Sequence, residues 1–180
     1  DDFEEDEENF EEEDEDDFEE VNEDTWIHQK TAVELFLKEK DSKIKSVPKP
    51  AGGQGILCMA TGTGKTRTAL KIVKRMIEEE KINNVIITTH KSDILDQWDE
   101  EMRDPGRGLI KLIKAKYKHY DGTTEMYKFL DSESITKSIL IGRDNFVQLV
   151  RECSLEDLDK TLLIVDECHN FRGEGHMDNM

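Results

Sequence analysis

Residues 58–70, "CMATGTGKTRTAL", decide the fold class because a glycine-rich turn leads directly into an amphipathic helix. The apolar run "GILCMA" at 55–60 precedes the turn and predicts a strand buried on both faces of a parallel sheet. The glycines allow a tight turn with inward-pointing backbone N–H groups, and the helix N-terminus adds partial positive charge. The pattern therefore predicts a phosphate-binding loop in which Lys65 reaches the β- and γ-phosphates and Thr66 offers its hydroxyl to Mg²⁺.

A second motif separates this interpretation from a plain glycine turn. The general phosphate-loop pattern has a glycine where this chain has Met59, so the turn alone leaves both interpretations open. Further along, "LLIVDECHN" at 162–170 ends an apolar strand in Asp166 and Glu167. A parallel sheet brings the carboxyl ends of its strands to one edge, so we expect the two carboxylates beside the loop. One can hold Mg²⁺ through water while the next activates the attacking water, which favours a nucleotide site.

The remaining sequence alternates between strand and helix patterns. Such alternation predicts an α/β fold, a three-layer P-loop domain with a mainly parallel sheet and helices on both faces. Periodicity predicts helices over about 28–40, 65–81, 92–102, 125–130 and 143–153, the last capped by Asp144, and strands over 55–60, 84–89, 109–117, 138–142 and 161–167.

Acidic residues are concentrated at the N-terminus. The formal charge is −18, and residues 1–24 hold 18 of the 43 Asp and Glu with no Lys or Arg. The remainder is therefore neutral, and we expect an acidic, disordered tail over 1–24 followed by one folded domain over 25–180. The tail is either a solvated charged segment or a polyanion mimic that docks on a basic surface.

The three cysteines indicate a reducing compartment. Their odd number and the lack of C-x-x-C spacing support neither a disulfide framework nor a zinc module, so an intracellular location, cytoplasmic or nuclear, is expected. Cys58 is expected in the core. The sequence has no apolar run of about 18 residues and no basic start typical of a signal peptide, so no membrane association is expected.

Taken together, "ATGTGKT" at 60–66 and "DECH" at 166–169 resemble motifs I and II of superfamily 2 helicases and translocases, in their first RecA-like motor domain. The residues in and around these two motifs are most similar to those of restriction-enzyme motor subunits. The resemblance covers about 26–180 and implies ATP and Mg²⁺ as cofactors and nucleic acid as partner, either DNA or RNA, with DNA favoured. It implies nucleotide binding by Gln29, Thr61, Gly62, Thr63, Gly64, Lys65 and Thr66, metal binding by Thr66 and Asp166, catalysis by Lys65 and Glu167, coupling by His169, and nucleic-acid contacts by Lys91 and Arg143.

The chain also departs from this family pattern. His90 and Lys91 stand where motif Ia usually has Pro-Thr, and "DQW" at 96–98 resembles the end of that motif, where a helix starts. The sequence stops soon after motif II, before motif III and the second motor domain, which the resemblance implies would supply arginine fingers. We therefore expect a helicase ATP-binding domain truncated after motif II, with weak or no hydrolysis alone. The alternative is a regulatory or interaction module that keeps the motor fold and uses the acidic tail as a nucleic-acid mimic.

The segment "KLIKAKYKHY" at 111–120 interleaves lysines with tyrosines. Such a pattern can track phosphates and stack bases. It can equally form an edge strand with its lysines outward, and the sequence leaves both interpretations open.

Overall fold

The structure is a computed structural model that describes residues 27–38, 55–60, 62–104, 112–119 and 124–168. Helices and strands alternate along these residues, as the sequence predicts. In chain order they are α1 (Ile27–Leu37), α2 (Lys65–Glu78), β1 (Asn84–Thr89), α3 (Ser92–Arg103), β2 (Ala115–His119), α4 (Thr124–Leu130), β3 (Lys137–Gly142), α5 (Arg143–Glu152), α6 (Leu155–Asp159) and β4 (Thr161–Val165).

The four strands form one sheet in the order β2-β3-β1-β4, and every ladder is parallel. All six residues of the central strand β1, "NVIITT", are buried, as expected for a strand covered on both faces. Its last residue Thr89 pairs with Gly142 at the end of β3, and Thr88 pairs with Val165 at the end of β4. This register brings the carboxyl ends of three strands to one edge of the sheet.

Helices cover both faces of the sheet, which confirms the predicted three-layer α/β arrangement. Neighbouring residues of β1 point to opposite faces, so Val85 and Ile87 join one core while Ile86 joins the other. The first core contains buried residues of α1, α2 and α3, and the second contains Met126 and Phe129 of α4 with Leu149 of α5.

The segment before the glycine turn is not a strand, contrary to the prediction from "GILCMA". Residues 55–60 have no regular secondary structure, Ile56 is 84% exposed, and Cys58 is exposed instead of lying in the core. A strand needs a neighbour for its backbone N–H and C=O groups, and in the described residues β4 pairs only with β1. Apolar composition alone therefore misassigned this segment.

Other boundaries shift for local reasons. The strand predicted over 109–117 begins only at Ala115, and the last strand ends at Val165, before the acidic pair. Gly142, not Asp144, occupies the cap position of α5. The short helix α6 was not predicted, although its sequence carries a Ser-x-x-Asp cap, in which the Ser154 hydroxyl accepts a hydrogen bond from the Asp157 N–H at 3.0 Å.

A cluster of charges joins α3 to the edge strand β2. The Asp99 carboxylate accepts hydrogen bonds from Lys116 and Lys118 of β2, the latter at 2.9 Å, and Arg103 lies 3.3 Å away. Burial raises the pKa of Asp99, but the hydrogen bonds from Lys116 and then Lys118 outweigh it, so the pKa falls from 3.8 to about 2. β2 is an edge strand of the described sheet, as one of the two interpretations of "KLIKAKYKHY" expected. Its two lysines form ion pairs with carboxylates of α3, however, which neither the edge-strand nor the nucleic-acid interpretation predicted.

Candidate active site

The glycine turn before α2 has the backbone geometry that only glycine adopts readily. Gly62 and Gly64 have φ values of 80° and 84°, in the left-handed region, and Gly64 directly precedes the helix. A Cβ atom added to Gly64 would lie 2.3 Å from the amide nitrogen of Gln29. The φ angle therefore favours glycine at position 64, and any larger residue would also displace the Gln29 amide.

Lys65 and Thr66 are the first two residues of α2 and are partly buried. The Lys65 ammonium donates a hydrogen bond to the Met59 carbonyl at 3.3 Å, so the side chain reaches back across the loop. The first turn of α2 leaves backbone N–H groups without intrahelical partners, and these favour anions. Ammonium, helix N-terminus and hydroxyl thus lie together at the start of α2.

Asp166 and Glu167 turn the chain at the end of β4. The Asp166 N–H donates to the Thr88 carbonyl at 3.0 Å, which extends the contact with β1 by one residue. Glu167 has a φ of 52°, and its N–H donates to the Asp166 Oδ1 atom at 2.9 Å. A left-handed conformation is uncommon for a residue with a side chain and occurs often at functional sites.

The two motifs meet at one cavity of about 570 Å³, lined by Lys65, Thr66, Asp166 and Glu167 among others. The parallel register places the end of β4 beside the central strand, and the loop lines the cavity at this edge although no strand precedes it in the described residues. An ammonium, a helix N-terminus, a hydroxyl and two carboxylates are the groups that a magnesium nucleoside triphosphate requires, so these residues fit that ligand.

Gln29, expected to read adenine, is buried against the loop. Gln29 is only 1% exposed, and its side-chain amide donates a hydrogen bond to the Thr63 carbonyl at 3.2 Å. The ring Nε2 atom of His28 lies 3.1 Å from the same carbonyl. α1 therefore contacts the loop backbone, and adenine recognition stays a prediction.

Sequence reasoning missed Trp98, which contacts the candidate metal ligand. The indole Nε1 atom donates to the Asp166 Oδ2 atom at 2.9 Å across 68 residues of sequence, and Trp98 is 3% exposed. The "DQW" segment lies within α3, which begins at Ser92 as the periodicity predicts. An amphipathic pattern predicts a buried Trp98, but no local signal identifies its partner.

Two basic residues predicted to contact nucleic acid lie at the same sheet edge. Lys91 lies between β1 and α3, and Arg143 is the first residue of α5, directly after β3. The last residues of these two strands, Thr89 and Gly142, are paired in the sheet. Both side chains are exposed, with the Arg143 Nε atom 3.5 Å from an Asp144 carboxylate oxygen.

Some predicted features lie outside the described residues. These are Thr61, His169 and the tail over 1–24. In the part of the chain that the structure describes, no helix has the length and apolar character needed to cross a bilayer.

Comparisons with known proteins match this chain to restriction enzyme subunits. The family model described as "Type III restriction enzyme, res subunit" matches residues 23–179. A protein of Mycoplasma pneumoniae, described as the C-terminal part of the putative type I restriction enzyme MpnIIP endonuclease subunit, is 28% identical over 150 residues, which cover 79% of this chain and 69% of that protein. The "Type I restriction enzyme SsaAORF53P endonuclease subunit" of Staphylococcus saprophyticus is 25% identical over 126 residues, covering 68% of this chain and 13% of that protein. No solved structure matches the chain. These findings confirm the resemblance to a superfamily 2 motor domain.

Proposed function

Since the chain belongs to the family of type III restriction enzyme res subunits, we propose that it is the ATP-binding half of a motor that couples ATP hydrolysis to movement on DNA. The convergence of Lys65 and Asp166 on one cavity carries this proposal. DNA is the proposed partner because both relatives are described as restriction enzyme subunits. The proposal includes a second motor domain as partner of this one, and the matched residues cover 13% of the longer relative.

The side chains of the cavity suggest a division of labour. Phosphate oxygens would replace the Met59 carbonyl as partners of the Lys65 ammonium, while Thr66 and Asp166 would hold the metal. Mg²⁺, when bound, neutralises phosphate charge and orients the triphosphate. Glu167 would orient the attacking water and accept its proton, a role supported by its place in the lining of the same cavity.

Nucleotide binding tests the proposal most directly. Lys65→Ala should weaken binding of ATP with Mg²⁺ about 30-fold, or ~2 kcal/mol, because a charged hydrogen-bond donor to the phosphates is lost. Titration of a fluorescent ATP analogue into the 180-residue chain measures this. Lys71→Ala removes the same charge from the exposed face of α2 and should leave affinity unchanged. Equal affinity of the Lys65 variant and the unmodified chain would argue against a nucleotide site.

The basic pair at the sheet edge gives a test for DNA. Lys91→Ala and Arg143→Ala should each reduce the slope of log Kd against log salt concentration for duplex DNA by about 1, because each removes one phosphate contact. Fluorescence anisotropy with labelled duplex at several salt concentrations measures the slope. Lys160→Ala is the matched control, since Lys160 is exposed and precedes β4 at the opposite edge. Slopes that fall equally in all three variants would place the DNA elsewhere.

A further inference from the structure

The carboxylate of Asp166 is held at both oxygens. The Trp98 indole N–H donates to Oδ2 at 2.9 Å, and the Glu167 backbone N–H donates to Oδ1 at 2.9 Å. Two fixed donors on opposite oxygens define the rotation of a carboxylate group, which is otherwise broadly distributed about its last torsion. The orientation of this candidate metal ligand is thus set by the backbone of its own turn and by one side chain of α3.

Trp98 is itself immobilised. Leu95 and Met102, on the same face of α3, are each 1% exposed in the core against the sheet. Asp99, the residue that follows Trp98, forms ion pairs with Lys116 and Lys118 of β2. Because packing and ion pairs both restrain α3, the indole is a rigid donor and not an adaptable surface contact.

Burial does not explain why the indole donates to a carboxylate. Trp98 lines the same cavity as Lys65 and Thr66, and its indole N–H donates to Asp166, which lines that cavity as well. Partners that hydrogen-bond to metal ligands commonly fix the orientation of the ligand and raise metal affinity.

We propose that Trp98 is a positioning residue that orients the Asp166 carboxylate for Mg²⁺ through its indole N–H. The proposal rests on the proposed function, because it assumes that the cavity binds a magnesium nucleotide. It predicts that losing the N–H selectively weakens the contribution of Mg²⁺ to nucleotide binding.

The hydrogen bond can be tested without any ligand. The chain has two tryptophans, so Trp26→Phe leaves Trp98 as the single indole. In ¹⁵N NMR spectra of this 180-residue variant, the indole N–H resonance should move upfield when Asp166→Asn is added, because a donor to a carboxylate is deshielded. An unchanged indole resonance would show that the contact is not formed and would overturn the proposal.

The second experiment measures how much Mg²⁺ strengthens nucleotide binding, as the ratio of ATP affinities with Mg²⁺ and with EDTA. Trp98→Phe keeps an aromatic ring but lacks the donor and should lower this ratio about tenfold with unchanged affinity in EDTA. Benzothienylalanine at position 98, which has the shape of tryptophan without its N–H, should give the same loss. In the Asp166→Asn background, neither change at position 98 should lower the ratio further, since both act through the Asp166 carboxylate.

The outcomes separate the two proposals. If Lys65→Ala binds the magnesium nucleotide as well as the unmodified chain, the nucleotide site fails and the role of Trp98 fails with it. If Lys65→Ala loses affinity but Trp98→Phe keeps the full magnesium gain, only the role of Trp98 is overturned. A loss that is equal with Mg²⁺ and with EDTA, or that the benzothienyl residue restores, would show a packing role and would also overturn it.

Discussion

Glu167→Gln is expected to lower DNA-stimulated ATP hydrolysis about 100-fold or more while leaving ATP binding intact. The amide cannot accept a proton from the attacking water, and general-base catalysis typically contributes about 100-fold to 10,000-fold. Phosphate release by the longest natural polypeptide that contains this sequence measures the rate, and nucleotide titration measures binding.

Glu156→Gln provides the control, since Glu156 is exposed in the first turn of α6 and outside the cavity. It should hydrolyse ATP at the unmodified rate. A Glu167 variant with full activity would remove this residue from the chemical step, and one that no longer binds ATP would show that its carboxylate acts in binding instead.

Asp99→Asn is expected to lower the free energy of unfolding by about 3 kcal/mol at pH 7. The Asp99 side chain is 10% exposed and that of Lys116 is 12% exposed, so the change leaves a buried ammonium without its counter-charge. Urea denaturation of the 180-residue chain measures the loss. Asp96→Asn is the matched control: it pairs with Lys118 from a side chain 53% exposed and should cost less than about 0.5 kcal/mol.

The lowered pKa of Asp99 predicts how the stabilisation from its ion pairs changes with pH. Its pKa is lowered in the folded chain, from 3.8 to about 2, so its stabilisation is present above pH 3.8 and is lost as the pH falls toward 2. The difference in unfolding free energy between the unmodified chain and Asp99→Asn should therefore narrow below about pH 4. A difference that stays constant down to pH 2 would contradict the role of the ion pairs.

The parallel sheet was predictable from β1, β3 and β4, which contain continuous apolar runs between helices. The strand "NVIITT" matches β1 residue for residue, since a run buried on both faces satisfies local preference and tertiary burial alike. The "GILCMA" segment has similar composition but no strand pairing, because pairing depends on a neighbour and not on composition.

The candidate site was predictable only where chemistry is local. Lys65 and Thr66 follow a glycine turn and Asp166 follows a strand, so each motif is visible in its local sequence, and the residues line one cavity. Trp98 and the Asp99 cluster depend on side chains that meet across distant segments. The sequence shows that these residues suit a helix face but does not show which groups they contact.

The packing of Gly64 against Gln29 links the glycine turn to the first helix. An alanine there would combine an unfavourable φ of 84° with a Cβ only 2.3 Å from the Gln29 amide nitrogen. The amide would have to move away from the Thr63 carbonyl, which it contacts at 3.2 Å. Substitution at residue 64 would therefore disturb the contact of the first helix with the loop as well as the loop itself.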